Sequence, residues 1–506
     1  MVPWTSRPGS DEAAPDVRIR SLAMTASTAD HTQTTLPPLS TGPHRRRIGV
    51  ISLIACFGGL LFGYDTGVAN GAERPMQLEL GLSDLSLGVV ISSLVFAAAF
   101  GALFAGKISD AIGRRKTIII LSIMFFLGTV LVVTSPGFEL LVAGRIMLGL
   151  AVGGASTVVP VYLAELAPFE IRGSITGRNE LAIVSGQLAA FVMNAIIGNI
   201  WGHIDGVWRI MFALCAVPAV CLFIGMLRMP ESPRWYVEKG RNDKALEVLK
   251  TVRTEERAIA EIADIERIAA EENREKSHGG LRAILSNKWL IRIVLIGMGV
   301  AMAQQLTGIN SIMYYGQRIL IDAGFAENAA LIANIAPGIV AVIGGIIALR
   351  NMDRLDRRTT FAIGLSLTTF FHLCIGIASI LLPEGMAARP WILLVLIVAF
   401  VFSMQTFLNV AVWVWLAEIF PLHIRGLGIG ISVFFGRTVN GILALYVPTL
   451  IENMGITGTF FLFAGVGVIA LIFVITQVPE TRGRTLEALE EDVTTGAIHV
   501  HHSKKR

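Results

Sequence analysis

Apolar residues in this chain come in long runs, each separated from the next by a short polar stretch. Runs at roughly 48–70, 86–106, 117–135, 138–163, 176–198 and 209–228 are each near the ~20 residues that cross a bilayer as a helix. A charge-dense stretch from about 229 to 290 interrupts them. Six further runs follow, at roughly 291–312, 327–349, 360–382, 390–416, 427–448 and 458–478. The pattern predicts an all-α membrane protein of twelve transmembrane helices, six on either side of a polar insert. Within the insert, Ala245, Leu246, Leu249 and Val252 recur at helical spacing, so short helices with solvated outer faces are expected there. The expected organisation is a polar arm at 1–47, a six-helix bundle at 48–228, the insert at 229–290, a second bundle at 291–478 and a tail at 479–506.

Composition narrows the class. The 506 residues are 53% hydrophobic and 16% charged, with a mean hydropathy of +0.65. A soluble domain is usually about 25% charged, and a chain this long could not cover its surface with so few charges. Collagen, general disorder and a secreted disulfide scaffold are excluded by the same numbers. The four cysteines (Cys56, Cys215, Cys221, Cys374) sit inside apolar runs without a CxxC pair and read as small buried hydrophobes. His499, His501 and His502 read as part of a solvated tail. The arm is rich in Pro, Ser and Thr, lacks the apolar stretch of a cleavable signal and reads as disordered, with Met24 a candidate alternative start. Walker A, HExxH and GxSxG patterns are missing, so neither an enzyme nor a bound cofactor or metal is expected. Gly149, Gly153 and Gly154 lie on an apolar helix, where close helix packing accounts for them.

Charge placement orients the chain. Of its 42 Lys and Arg, four (Arg74, Arg209, Arg318, Arg389) fall in the loops of one side and two (Arg145, Arg437) within spans. All the others lie on the side of the N-terminus, which the positive-inside rule makes cytoplasmic. Both termini are therefore expected in the cytoplasm. The net charge of +4, with acids interleaved among the bases, offers no surface for nucleic acid.

The two halves repeat. Leu163-Ala-Glu165-Leu-Ala-Pro168-Phe-Glu-Ile171-Arg172-Gly173 sets against Leu416-Ala-Glu418-Ile-Phe-Pro421-Leu-His-Ile424-Arg425-Gly426, with seven of eleven positions identical. Asp110-Ala-Ile-Gly-Arg114-Arg115 recurs as Asp353-Arg-Leu-Asp-Arg357-Arg358, and Pro230-Glu231-Ser232 as Pro479-Glu480-Thr481. All three matches keep their order at an offset of about 250 residues, and an even number of spans gives both copies one orientation. Parallel six-helix repeats with a binding site between them describe a secondary transporter.

Together with Gly144-Arg145, Pro160-Val-Tyr162, Pro230-Glu-Ser-Pro-Arg-Trp235, Gln304-Gln305-Leu-Thr-Gly-Ile-Asn310 and Pro479-Glu-Thr-Arg-Gly483, these motifs resemble the sugar porters of the major facilitator superfamily. The resemblance covers residues 48 to 490. It implies a cytoplasmic gate built from Asp110, Arg114, Arg115, Glu165 and Arg172 in the first half. Their counterparts in the second half are Asp353, Arg357, Arg358, Glu418 and Arg425. Ion pairs between the bundles would hold that side shut; the alternative is that the pairs only fix topology and packing. Asp356 stands where the family commonly has Gly.

A sugar or polyol needs neutral hydrogen-bonding side chains and an aromatic face. Helix 7 offers Gln304, Gln305, Asn310 and Tyr314, and four polar groups in one span are costly unless used. The resemblance adds Trp413 and Gln187 as sugar contacts, and it places Glu180 where a glutamine is usual. The Glu180 carboxylate could accept two hydroxyls, or pair with Arg178 or Arg437. Asn409-Val-Ala-Val-Trp413 replaces the usual Gly-Pro before the tryptophan, and Gly436 stands where relatives present glutamine. Asp65, inside helix 1, carries a charge costing at least about 2.5–3.5 kcal/mol at the bilayer centre, and Arg145 is the available partner. The pair is either a permanent structural tie or a proton site released on protonation; proton-coupled members of the family have Asp here.

The reading is a plasma-membrane importer of a monosaccharide or cyclic polyol, with a proton as coupling ion, working as a monomer in the lipid bilayer. Gly177-Arg-Asn179-Glu180 resembles bacterial inositol-type members, while hexoses and pentoses stay open. A passive uniporter is the nearest rival, and a non-transporting nutrient sensor a more distant one.

Overall fold

A computed structural model of the chain describes residues 43–276, 281–351, 355–421, 424–482 and 486–500. Every regular element among them is helical. The first bundle consists of α1 (Pro43–Leu80), α2 (Asp84–Ile112), α3 (Arg114–Val133), α4 (Phe138–Leu166), α5 (Arg172–Trp201) and α6 (Val207–Leu227, stepped at Leu214-Cys215). Short helices Pro233–Glu238, Asn242–Val252, Glu255–Lys276 and Leu281–Ser286 make the insert. The second bundle holds α7 (Lys288–Ala323), α8 (Glu327–Asn351), α9 (Arg357–Leu381) and α10 (Arg389–Ile419). Its last two spans, α11 and α12, run together as Arg425–Gln477 and part at Gly455, whose φ of 64° only glycine adopts readily. The helices Leu486–Thr495 and Ala497–Val500 follow.

Several spans outrun their apolar cores. Helix α1 is 38 residues long and starts at Pro43, so Arg45, Arg46 and Arg47 belong to its opening turns and not to the arm expected up to residue 47. Proline suits a first turn because its missing N–H would have no intrahelical partner there. The rest of the arm, residues 1–42, lies outside the described residues.

The duplication read in the sequence is visible atom by atom. In the first bundle the Tyr162 hydroxyl donates to Pro230 O (2.7 Å), and in the second the Trp415 indole donates to Pro479 O (3.0 Å). The Glu231 carboxylate accepts from the Arg115 and Ser232 backbone N–H groups at 3.0 and 2.9 Å. Glu480 does the same for Arg357 and Arg358, both at 2.9 Å. Each acid thereby caps free N–H groups at the positive end of α3 or α9.

Helices α2 and α4 pack backbone to backbone. A Cβ on Gly149 would stand 2.2 Å from Leu94 O, and one on Gly153 2.0 Å from Ala98 O, so side chains are excluded at both. Outward-facing Phe104, Leu295 and Ile469 are exposed, as lipid-facing apolar residues are. Cys56 and Cys215 are buried as expected, but Cys221 is exposed and Cys374 half-buried, because an apolar run on an outer helix is covered by lipid and not by protein.

The insert packs under the first bundle on the face that carries both ends of the described chain. Arg253 donates to Leu166 O (3.0 Å) and pairs with Glu261 (3.0 Å). Arg257 ties Glu261 (2.6 Å) to Glu170 (2.9 Å). Partial burial alone would raise the Glu170 carboxyl, but hydrogen bonds from its own backbone and from Arg257 outweigh it and hold it below the ordinary range.

Candidate functional site

The second bundle builds a chain of amides at its centre. Asn310 Nδ2 donates to Gln305 Oε1 at 2.7 Å, Gln305 Nε2 to Gln304 Oε1 at 3.3 Å, and Gln304 Nε2 to Asn409 Oδ1 at 3.2 Å. Two irregularities make this possible. Helix α7 breaks at Gly308 (φ 75°), between Gln305 and Asn310, so residues five apart meet when a straight helix would splay them. Helix α10 contains a π turn, Met404–Asn409, where sequence reading noted only the lost Gly-Pro. Asn409 was read as a departure from the family pattern and not as a site residue. Its signal in the sequence is an amide, with Gln405 one turn before it, in an otherwise apolar run.

Trp413 is half-buried one turn beyond Asn409, on the same side of α10. Tyr314 is buried edge-on against Tyr315, with ring centroids 6.4 Å apart. From the first bundle, α5 contributes Gln187, buried with Oε1 lacking a protein partner, and half-buried Glu180. Glu180 lies within electrostatic reach of Arg437 of α11 across the interface but forms no ion pair with it, and Arg178, the other expected partner, is exposed. The same Arg437 guanidinium donates to Ser156 Oγ of α4 at 3.3 Å and lies over the Phe62 ring of α1 at 4.9 Å.

Asp65 and Arg145 form an ion pair of 2.9 Å with both side chains wholly buried. Only one contact is made: Asp65 Oδ2 and Arg145 Nη2 face no protein partner, while Arg145 Nε reaches Val90 O at 3.4 Å. A buried pair repays its desolvation only with excellent geometry and further hydrogen bonds, so this one is far from saturated.

On the face bearing the chain ends, the expected gate residues pair within their own bundles. Arg114 joins Glu165 (3.0 Å) and Asp110 (2.9 Å), and Arg357 joins Glu418 (3.0 Å). Arg115 donates to Met226 O and Leu227 O, Arg358 to Ile475 O, and Arg425 to Phe420 O. Asp353 lies outside the described residues, as does the Arg172 side chain. The links between bundles stand on the opposite face. Arg318 grips Asp84 with two 2.9 Å bonds, and Arg74 meets Glu327 at 2.5 Å. Sequence reading used Arg74 and Arg318 only to orient the chain.

The family model "Sugar (and other) transporter" matches residues 51–493. The chain is a sugar porter of the major facilitator superfamily. Among its relatives, this porter is 47% identical over 445 residues to the "Major myo-inositol transporter IolT" of Bacillus subtilis, covering 87% of this chain and 93% of that one. Its fold superposes on the partially occluded, inward-open form of the xylose transporter XylE from E. coli with a TM-score of 0.76 at 26% identity, covering 87% of this chain and all of that one. The proton:xylose symporter XylE bound to 6-bromo-6-deoxy-D-glucose gives 0.73 at 27%, covering 88% and 99%. The porter is accordingly a multi-pass membrane transporter and not an enzyme.

Proposed function

We propose that this porter imports a monosaccharide or cyclic polyol, with a proton as coupling ion, by alternating access. The carrying observation is the amide chain Asn310–Gln305–Gln304–Asn409 beside Trp413, which offers neutral donors and acceptors next to an aromatic face. Hydroxyls match such groups better than any charged ligand would. Kinship with a myo-inositol transporter at 47% identity favours a cyclic polyol among the candidates. Kinship with a proton:xylose symporter, together with the half-satisfied Asp65–Arg145 pair, supports proton coupling.

The face bearing the chain ends is read as cytoplasmic by its excess of Lys and Arg, and the plasma membrane as the location. Bundle-to-bundle ion pairs on the face read as outer, and the likeness to an inward-open form of XylE, support reading the conformation as inward-facing. Arg114–Glu165 and Arg357–Glu418 would then be re-paired across the bundles, or remain as fixed ties, when the cytoplasmic side shuts. A single chain in lipid suffices for this cycle.

The test is uptake of labelled inositol, glucose, fructose and xylose by proteoliposomes with and without an imposed proton gradient. Accumulation of at least one of them above its outside concentration, dependent on the gradient, is expected. Equilibration without accumulation would identify a uniporter, and no uptake of any would reject sugar transport.

A further inference from the structure

The opening of α1 and the close of α6 meet at one corner of the first bundle. A Cβ on Gly225 of α6 would stand 2.5 Å from Ile54 Cγ2 of α1, so the two helices touch there. Toward the face bearing the chain ends they part around a cavity of about 330 Å³. Three arginines line it, Arg46 and Arg47 from α1 and Arg228 just after α6. All three are exposed, and among the described residues none of their guanidinium groups meets an acid or a hydrogen-bond acceptor. Glu231, the acid nearest in sequence to Arg228, is buried and turned to the Arg115 and Ser232 N–H groups. The carbonyls that end α6 would repel an anion, but Arg115 covers Met226 O and Leu227 O. The corner therefore concentrates positive charge that no protein group answers.

The same corner turns apolar toward the membrane interior. Val50 and Ile51 lie one helical turn along from Arg46 and Arg47, and with Met229 they form an apolar wall of the cavity. Further along, Leu53 of α1 and Ile224 and Leu227 of α6 are exposed. A free phosphate gains nothing from this apolar surface, whereas a phospholipid uses both parts. We infer that the corner binds an anionic glycerophospholipid, with its phosphodiester on Arg46, Arg47 and Arg228 and its acyl chains along Leu53, Ile224 and Leu227. Guanidinium groups suit the task, since each planar fork meets two phosphate oxygens at once. Basic pockets beside spans hold such headgroups, and each cation near the surface adds to the attraction. The bound lipid bridges α1 to the end of α6, which runs into Pro230 and the Glu231 that caps α3. It fastens the rim of the first bundle, and its binding is measured without any sugar, so failure of the substrate assignment leaves it standing.

The experiment is native mass spectrometry of the full chain purified in detergent, titrated with phosphatidylglycerol, phosphatidylcholine and glycerol 3-phosphate. The first phosphatidylglycerol should bind at least about tenfold more tightly than phosphatidylcholine, and excess glycerol 3-phosphate should not displace it. The triple variant Arg46→Gln, Arg47→Gln, Arg228→Gln should lose that preference. A control that removes three exposed cations of the insert (Arg241→Gln, Lys244→Gln, Arg282→Gln) changes net charge equally and should keep it. Phosphatidylglycerol should also raise the thermal midpoint of the wild type and the control but not of the triple variant, as a ligand of the folded state does. If the triple variant fails to fold, Arg228→Glu decides, and it should weaken the first phosphatidylglycerol by a similar factor. An unchanged preference in the folded triple variant or in Arg228→Glu overturns the site. Equal loss in the control reduces it to a general surface field, and displacement by glycerol 3-phosphate makes it a free-anion site; either result overturns the lipid assignment.

Discussion

The two bundles share their ends and differ in their middles. At the ends, Arg114–Glu165 and Arg357–Glu418 are the same pair at 3.0 Å, and Glu231 and Glu480 cap the following helices alike. In the middle, the first bundle buries one ion pair, Asp65–Arg145, while the second lines up neutral amides from Gln304 to Asn310. The proposed function accounts for the difference by what each bundle would recognise. A proton is sensed through a change of charge, and a polyol through many weak, uncharged hydrogen bonds. Duplication preserved the parts both halves need and left the interiors free to diverge.

The sharpest way to break this division is Asp65→Asn. It keeps size and hydrogen bonding but removes the titrating carboxylate that pairs with Arg145. Coupling requires protonation to favour one conformation over another, and without a titrating group that difference vanishes. Concentrative uptake under an inward proton gradient should fall to background, while counterflow at equal concentrations should survive. Undiminished accumulation would move the proton site elsewhere. Loss of counterflow as well would mark the pair as structural.

The shared ends predict a graded response. Removing one partner from a buried pair costs about 3–5 kcal/mol. The Arg114 and Glu165 side chains are 5% and 10% exposed, against 8% and 25% for Arg357 and Glu418. Glu165→Ala should therefore lower the thermal midpoint of the detergent-purified porter more than Glu418→Ala. Equal shifts would mean that burial does not set the value of these pairs.

Much of this architecture was legible because it is local or repeated. Run lengths predict twelve spans whatever packs against them, and Glu165 and Glu418 announce each other by recurrence. What stayed hidden depends on partners far away in the chain. At Tyr315, where α7 leaves helical geometry, the only nearby signal is Gly316, because the groups that stabilise the break belong to Asn70 of α1. The π turn at Met404–Asn409 is likewise invisible to a period count, and only the lost Gly-Pro pointed there. Glu180 has two candidate cations in the sequence; Arg178 lies on the surface, and Arg437 acts on Glu180 only through its field, from across the bundle interface.

The neutral interior of the second bundle can be tested one contact at a time. Gln305 sits mid-chain, accepting from Asn310 and donating to Gln304, so Gln305→Ala removes two bonds and leaves both neighbours short of a partner. Each bond is worth about 0.5–1.5 kcal/mol, and more where a partner stays buried. Calorimetric titration of Gln305→Ala should show binding about tenfold weaker or worse, and Trp413→Ala should weaken it through loss of the aromatic face. Wild-type affinity in both would sink the site.

The smallest effect is expected where the division between the bundles blurs. Glu180 puts a half-buried carboxylate on α5 of the first bundle, and Arg437, from the amide-bearing bundle, acts on it through its charge. Glu180→Gln keeps a hydrogen-bonding side chain of the same size, so transport should persist. What changes is the field: Arg437, held by Ser156 and the Phe62 ring of the facing bundle, no longer feels the Glu180 carboxylate. Arg437 Nε has no protein partner, so without the opposing charge it becomes a stronger donor to substrate hydroxyls. Relative uptake across the four-sugar panel should then shift by a few fold, toward substrates presenting an acceptor on that side. Adding Arg437→Gln removes both charges, and the double variant should lie closer to wild type than Glu180→Gln alone, the coupling expected of two opposite charges that interact. If the panel profile is the same in all three proteins, the two charges are packed together without reading the substrate, and selectivity rests with the amides of α7.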